Sequence, residues 1–64
     1  MRYIYVYHRY GRRCEVKSDV LDNLVEEAYR DFDSGEAYSE HIIDEDGKIV
    51  LGHSQLIKLF EERV

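Results

Sequence analysis

The chain has 64 residues, a single Cys, no Pro and a net charge of −5. So short a chain builds one hydrophobic core, so we expect a single domain over residues 1–64. No apolar run approaches the roughly 18 residues of a membrane-spanning helix, and the lone Cys14 builds no disulfide framework, which together predict a cytoplasmic protein that does not bind membranes.

Charge divides the chain unevenly. Residues 1–17 carry five Arg and Lys against one acid, whereas residues 18–64 carry four against thirteen. We therefore expect a basic first hairpin on an otherwise acidic molecule, with the two parts attracting one another in the fold.

The basic segment predicts a β-hairpin. Residues 3–10 alternate as a strand does, Gly11 supplies a turn, and residues 14–17 form the second strand. The preferred prediction is a three-residue loop, Gly11–Arg13, because it gathers the aliphatic side chains on one inward face. These inward side chains are Ile4, Val6, Cys14 and Val16, with Tyr3, Tyr5 and Tyr7 opposite. The alternative is a two-residue Gly11-Arg12 loop, which puts Cys14 and Val16 on the tyrosine face.

An amphipathic helix follows this hairpin. Ser18 or Asp19 suits its start and Gly35 its end. Its apolar stripe consists of Leu21, Leu24, Val25, Ala28 and Phe32. Its acidic side chains are Asp19, Asp22, Glu26, Glu27, Asp31, Asp33 and Glu36. We expect a solvated helix face, the alternative being a phosphate-like row that enters a basic groove of a partner.

The second half predicts another hairpin and a last helix. Asp46-Gly47 is a two-residue turn signal, which pairs Glu45 with Lys48 and Ile43 with Val50. Ser54 suits the start of a helix whose apolar side is Leu56, Ile57, Leu59, Phe60 and Val64. The fold class is therefore α+β: a ββαββα chain with a four-stranded, mostly antiparallel sheet and two helices on one face. In the alternative, residues 38–43 are mostly loop and the sheet has three strands.

No motif in the chain indicates catalysis or a bound metal. The soft ligands His8, Cys14, His41 and His53 share no ligand spacing. The acidic turn fails as a calcium loop, because the template puts Ile42 and His53 at ligand positions. Cys14 alternates in phase with Val16, which favours a buried, inert thiol over a nucleophile. We expect no enzymatic activity, no catalytic residue, no metal site and no cofactor.

Tyrosine and arginine on the first hairpin predict a binding surface. The candidate partner-binding residues are Tyr3, Tyr5, Tyr7, Arg9, Arg12 and Arg13. Tyr and Arg are favoured anchors at protein interfaces, so the leading hypothesis is a module that binds another protein. Single-stranded nucleic acid is a second, disfavoured partner, because the acidic remainder repels phosphates. For the tyrosine face itself, the preferred interpretation is structural, with the tyrosines as cross-strand partners that cover the sheet. The third functional hypothesis is a thiol or enzymatic role of Cys14. Monomer and homodimer both fit.

One segment carries a resemblance. After Ser34-Gly35-Glu36 the chain reads Ile42-x-Asp44-x-x-Gly47-Lys48, a helix end followed by a hairpin. This order resembles short uncharacterised bacterial and phage proteins. The resemblance implies a compact accessory protein and carries over no functional residue.

Overall fold

The chain folds in the predicted order ββαββα, and the α+β class is confirmed. The computed structural model describes residues 2–63, so the expected place of Val64 on the last helix lies outside the described residues. The elements in chain order are β1 (Tyr3–Arg9), β2 (Arg12–Ser18), α1 (Leu21–Ser34), β3 (Tyr38–Asp44), β4 (Ile49–Leu51) and α2 (His53–Glu62).

The four strands form one antiparallel sheet in the order β2-β1-β3-β4. β3 is an inner strand that pairs with β1 at six positions, so the alternative that residues 38–43 form a loop is wrong. Tyr38, Ile42 and Ile43 are strand-forming residues, and pairing on both sides reinforces that preference. Because α1 lies between β2 and β3 in the chain, it carries the backbone across the sheet to the free side of β1.

Both helices pack on the same face of the sheet. The core cluster joins side chains of both helices to one side chain each from β1 and β3. Its fully or almost fully buried members are Tyr5, Leu24, Ala28, Ile42, Leu56 and Phe60. The predicted stripe of α1 is therefore confirmed at Leu24 and Ala28, whereas Phe32 stays partly exposed and rests against Phe60 with ring centroids 5.0 Å apart.

The first hairpin has a register that neither prediction gave, although the alternative was right that Cys14 and Val16 lie on the tyrosine face. Its loop is Tyr10-Gly11, and the closing pair is Arg9 with Arg12. Both loop residues have positive φ, 53° and 77°, as a tight turn matching the twist of the strands requires. Tyr5 therefore pairs with Val16 and Tyr7 with Cys14.

This register overturns the predicted inward face. The helices cover the side that carries Tyr3, Tyr5, Tyr7 and Val16, not the side with Ile4 and Val6. A tyrosine ring buries more apolar area than a Val or Cys side chain, so the aromatic face gains more from the helices. The prediction weighed aliphatic side chains above aromatic ones and was wrong for that reason.

The second hairpin also closes one residue away from its prediction. Asp44 rather than Glu45 pairs with Lys48, and Ile43 pairs with Ile49 rather than Val50. The Asp44 carboxylate accepts hydrogen bonds from the backbone N–H groups of Asp46 and Lys48, both at 2.9 Å. These bonds hold a three-residue loop, Glu45–Gly47, in which Gly47 alone has positive φ.

The helix ends agree with the sequence at Gly35 and differ at both starts. Gly35 adopts φ 72° and donates its N–H to the carbonyls of Asp31 and Phe32, as predicted. Val20, not Ser18 or Asp19, precedes α1, because the Ser18 hydroxyl instead accepts the N–H of Val20. At α2 the preceding residue is Gly52, whose N–H donates to Oε1 of Gln55 at 2.8 Å.

Candidate protein-binding surface

One face of the sheet carries the helices, and within residues 2–63 no further layer covers the other. We call this second side the open face. Because side chains alternate along a strand, its members follow from the register of the pairs. They are Ile4, Val6 and His8 of β1, Arg13, Glu15 and Lys17 of β2, Tyr38, His41 and Ile43 of β3, and Ile49 of β4.

An apolar row crosses the open face. Ile4 pairs with Ile43, and Ile43 pairs with Ile49, so three isoleucines lie side by side on three strands. Ile49 is 64% exposed, and Ile4 and Ile43 are partly buried. Contiguous exposed apolar area of this kind is typical of interaction surfaces.

Val6 lies at the centre of the open face and is nevertheless fully buried. Its cross-strand neighbours are Glu15 on one side and His41 on the other. Long polar side chains cover apolar neighbours with their stems while their charged ends stay in water. The open face therefore has a polar half around Val6 and an apolar half along the isoleucine row.

Two histidines flank one carboxylate in the polar half. A bulge in β3 between the Val6–His41 and Tyr7–Ser39 pairs adds Glu40 to the strand. His8 Nε2 lies 2.5 Å from one Glu40 oxygen, and His41 Nδ1 lies 3.5 Å from the other. The hydrogen bond from His8, together with the nearby His41, holds the pKa of the Glu40 carboxyl below its usual value.

The predicted tyrosine platform lies mostly inside the core. Tyr5 is fully buried, and Tyr3 and Tyr7 pack against the core beside it. The Tyr5 hydroxyl donates to Asp31 Oδ2 at 3.0 Å and lies 2.9 Å from the Ser39 hydroxyl. Burial raises the pKa of the Tyr5 phenol. In this fold Tyr5 therefore contacts no partner, and the three rings do not form a surface for stacking.

The three predicted arginines lie around the tip of the first hairpin and have different surroundings. Arg9 donates to Glu36 Oε2 at 2.8 Å, which links the basic hairpin to the acidic chain beyond α1. Arg13 lies on the open face, 3.3 Å from Glu15. Arg12 is exposed. Arg12 and Arg13 therefore remain accessible to a partner, whereas Arg9 is engaged within the fold.

Tyr10 is a surface residue that the sequence prediction missed. It occupies the hairpin loop beside Arg12 and Arg13 and is 87% exposed. Its φ of 53° is unusual for a bulky residue, which is why a strand position was predicted instead. The Tyr-Gly pair between two strand patterns was the available signal, since Gly11 supplies half of a two-residue turn.

The other histidines and Cys14 have separate surroundings in residues 2–63. Across that range no three His, Cys, Asp or Glu side chains are arranged to hold a metal ion. His53 is occupied structurally, with Nδ1 2.5 Å from the Ser39 carbonyl and its ring stacked on Tyr38 at 4.5 Å. Cys14 is a partly buried free thiol opposite Tyr7.

Neither helix of the described range has the length and apolar character needed to cross a membrane. No protein-family model, curated protein or solved structure matches this chain.

Proposed function

We propose that this chain is a non-enzymatic protein-interaction module, acting as a small bacterial or phage accessory protein in the cytoplasm. The observation that carries the proposal is the isoleucine row on a sheet face without a covering layer. Burying the exposed parts of Ile4, Ile43 and Ile49 against a partner supplies hydrophobic free energy that the monomer leaves unused.

Charge indicates what kind of protein surface fits. The exposed side chains at the hairpin tip are Tyr10, Arg12 and Arg13. Tyr and Arg are favoured anchor residues at protein interfaces. The partner surface proposed is therefore apolar at its centre, to meet the isoleucine row, and acidic where it meets the arginines. A partner rich in phosphates fits less well, because the acidic side chains of α1 repel phosphates.

Affinity capture from the native host, followed by titration calorimetry with the captured protein, tests this proposal. Ile49→Glu and Arg12→Glu should each weaken binding by about tenfold or more, because one removes apolar contact and the other reverses a charge. Val20→Glu is the matched control for the first change, since Val20 is 51% exposed and lies between β2 and α1 rather than on a strand. Lys58→Glu on α2 is the charge-matched control for the second. Equal loss in variants and controls, or no specific partner, contradicts the proposal.

Nucleic-acid binding is the competing function, because Tyr10 stands beside two accessible arginines. Fluorescence anisotropy with a single-stranded oligonucleotide at low salt separates the two. The protein-binding proposal predicts no saturable change. Binding that falls steeply with salt and disappears in Arg12→Glu would instead assign the hairpin tip to nucleic acid.

A further inference from the structure

β2 is an edge strand with one unpaired side. It pairs with β1 along all seven of its residues, and no other strand of residues 2–63 lies beyond it. The closing pair of the tight turn is Arg9–Arg12, so the even-numbered residues of β2 direct their backbone groups towards β1. Arg13, Glu15 and Lys17 therefore direct their N–H and C=O groups outward. Such an edge is a template for another strand.

The side chains at these outward positions alternate in sign. Arg13 is positive, Glu15 negative and Lys17 positive, and Asp19 just beyond the strand is negative. A run of like charges protects an edge from a second copy of itself, because the copies repel. An alternating run instead attracts a second copy in those registers that bring opposite charges together.

The antiparallel register centred on Val16 gives each of these four charges an oppositely charged partner. When two copies of β2 are centred on Val16, Glu15 lies opposite Lys17 of the second copy and Arg13 lies opposite Asp19, each twice by symmetry. Centring on Glu15 instead puts Glu15 against itself and Arg13 against Lys17. Within one copy these charges form the exposed pairs Arg13–Glu15, at 3.3 Å, and Arg2–Asp19, at 3.6 Å. Exposed ion pairs contribute little free energy, so replacing them with pairs to a second copy costs little.

The same register closes a groove on the helix side of β2. This groove has a volume of about 390 Å³ and is lined by Val16 of β2 and by Leu24, Glu27 and Arg30 of α1, among others. With Val16 on the two-fold axis, the two grooves meet, and Val16 of one copy packs against Val16 of the other. Apolar contact on one side of the strand thus accompanies charge pairing on the other.

We propose that two copies of this chain associate through β2, antiparallel and centred on Val16, to form a continuous eight-stranded sheet. The outward backbone groups of Glu15 and Lys17 then form hydrogen bonds across the axis, and both pairs of helices lie on the same side of the joined sheet. The open faces of the two copies become one surface. The occupant of the β2 edge is therefore a second copy of this chain.

A charge swap tests the register. Glu15→Lys and Lys17→Glu should each weaken the dimer by about tenfold or more, because each turns two attractive pairs into repulsive ones. The double variant, Glu15→Lys with Lys17→Glu, restores opposite charges at both pairs and keeps the net charge, so it should dimerise as the native chain does. Lys58→Glu, with the same charge change as Lys17→Glu on α2, should leave the dimer unaffected.

Mixing the two single variants gives a sharper readout. A Glu15→Lys chain facing a Lys17→Glu chain has opposite charges at both central pairs, so the mixture should form a heterodimer that neither variant forms alone. Sedimentation equilibrium from micromolar to millimolar concentration measures each mass against the 7.7 kDa monomer, and circular dichroism checks that each variant is folded. A native chain that stays monomeric, single variants that dimerise normally, or a mixture without heterodimer overturns the proposal.

Discussion

At the scale of single residues, the Tyr5 hydroxyl connects three elements around the core by hydrogen bonds. The Tyr5 hydroxyl of β1 reaches Asp31 of α1 and Ser39 of β3, and the Ser39 hydroxyl also lies 3.5 Å from the Ala28 carbonyl. Three elements thus share one buried polar network. A buried hydroxyl is tolerated only when it is hydrogen-bonded, so this network fixes how β1, β3 and α1 meet.

Tyr5→Phe tests that network. The substitution keeps the ring but leaves Asp31 and Ser39 without the phenol, and we expect the free energy of unfolding to fall by about 1–2 kcal/mol. Urea denaturation measures it. Tyr10→Phe, at a position 87% exposed, is the control and should change stability by less than about 0.5 kcal/mol. An equal effect of the two changes would contradict the structural role of the Tyr5 hydroxyl.

Tyr10 carries backbone strain at the hairpin tip. A left-handed conformation at a non-glycine residue costs about 1 kcal/mol, and Asn accepts it more readily than Tyr. Tyr10→Asn, which gives an Asn-Gly loop, should therefore raise the free energy of unfolding by several tenths of a kcal/mol up to about 1 kcal/mol. Thermal unfolding followed by circular dichroism measures the change. A loss of stability would show that the exposed ring contributes more than its conformation costs.

The bulge residue Glu40 gives the chain an acid-sensitive contact. Its pKa in the folded state lies below the usual value, chiefly through the hydrogen bond from His8. A lowered folded pKa stabilises the fold above the ordinary carboxyl pKa of about 4.3 and loses that contribution as pH falls through the folded pKa. His8→Val should move the Glu40 pKa upward in a carboxyl-carbon NMR titration. An unchanged Glu40 pKa would contradict this pairing.

At the scale of elements, the Asp44 side chain defines the second hairpin. Its carboxylate accepts two backbone N–H groups across the loop. Asp44→Ala should lower the free energy of unfolding by about 1–2 kcal/mol, because both donors lose their partner. Asp46→Ala is the matched control, since the Asp46 side chain takes part in none of the hydrogen bonds found in residues 2–63 and should contribute much less. Indistinguishable urea midpoints for the two variants would contradict this account of the turn.

The order of elements was predictable, and the faces of the strands were not. Helical spacing of Leu24 and Ala28, and of Leu56 and Phe60, is strong enough to identify both helices and their buried sides. β1 is different, because both of its faces are apolar and either could meet the helices. A one-residue change of loop length moves the β2 side chains from one face of the sheet to the other. Tyr10 enters the loop only by accepting a conformation that propensity disfavours.

The candidate surface was correspondingly only partly predictable. Arg12 and Arg13 were identified from the basic hairpin and are accessible. Tyr5 was predicted to lie on the binding surface but is buried in the core. The isoleucine row was not foreseen, because Ile43 was paired with Val50 and Ile4 was assigned to the core. The pairing of Ile43 depends on Asp44, whose side-chain hydrogen bonds hold a three-residue loop that a two-residue turn pattern does not reveal.

At the scale of the whole molecule, two ion pairs join the basic first hairpin to the acidic remainder of the chain. Arg2 pairs with Asp19, and Arg9 with Glu36, so each end of β1 has a contact with the acidic segment. These exposed pairs contribute little free energy individually. The shared core around Tyr5 therefore supplies most of the stability, and the side of the sheet that it occupies decides which surface remains for partners.

The helices cover the tyrosine face of the sheet and leave the isoleucine row open. Carbon-edited NOE spectroscopy of the native chain tests this arrangement most directly. We expect contacts from the Tyr5 ring to Leu24 and Ala28, and none from the Ile43 or Ile49 methyl groups to these two side chains. Contacts from Ile4 and Val6 to the helices, with a solvent-exposed Tyr5 ring, would contradict it.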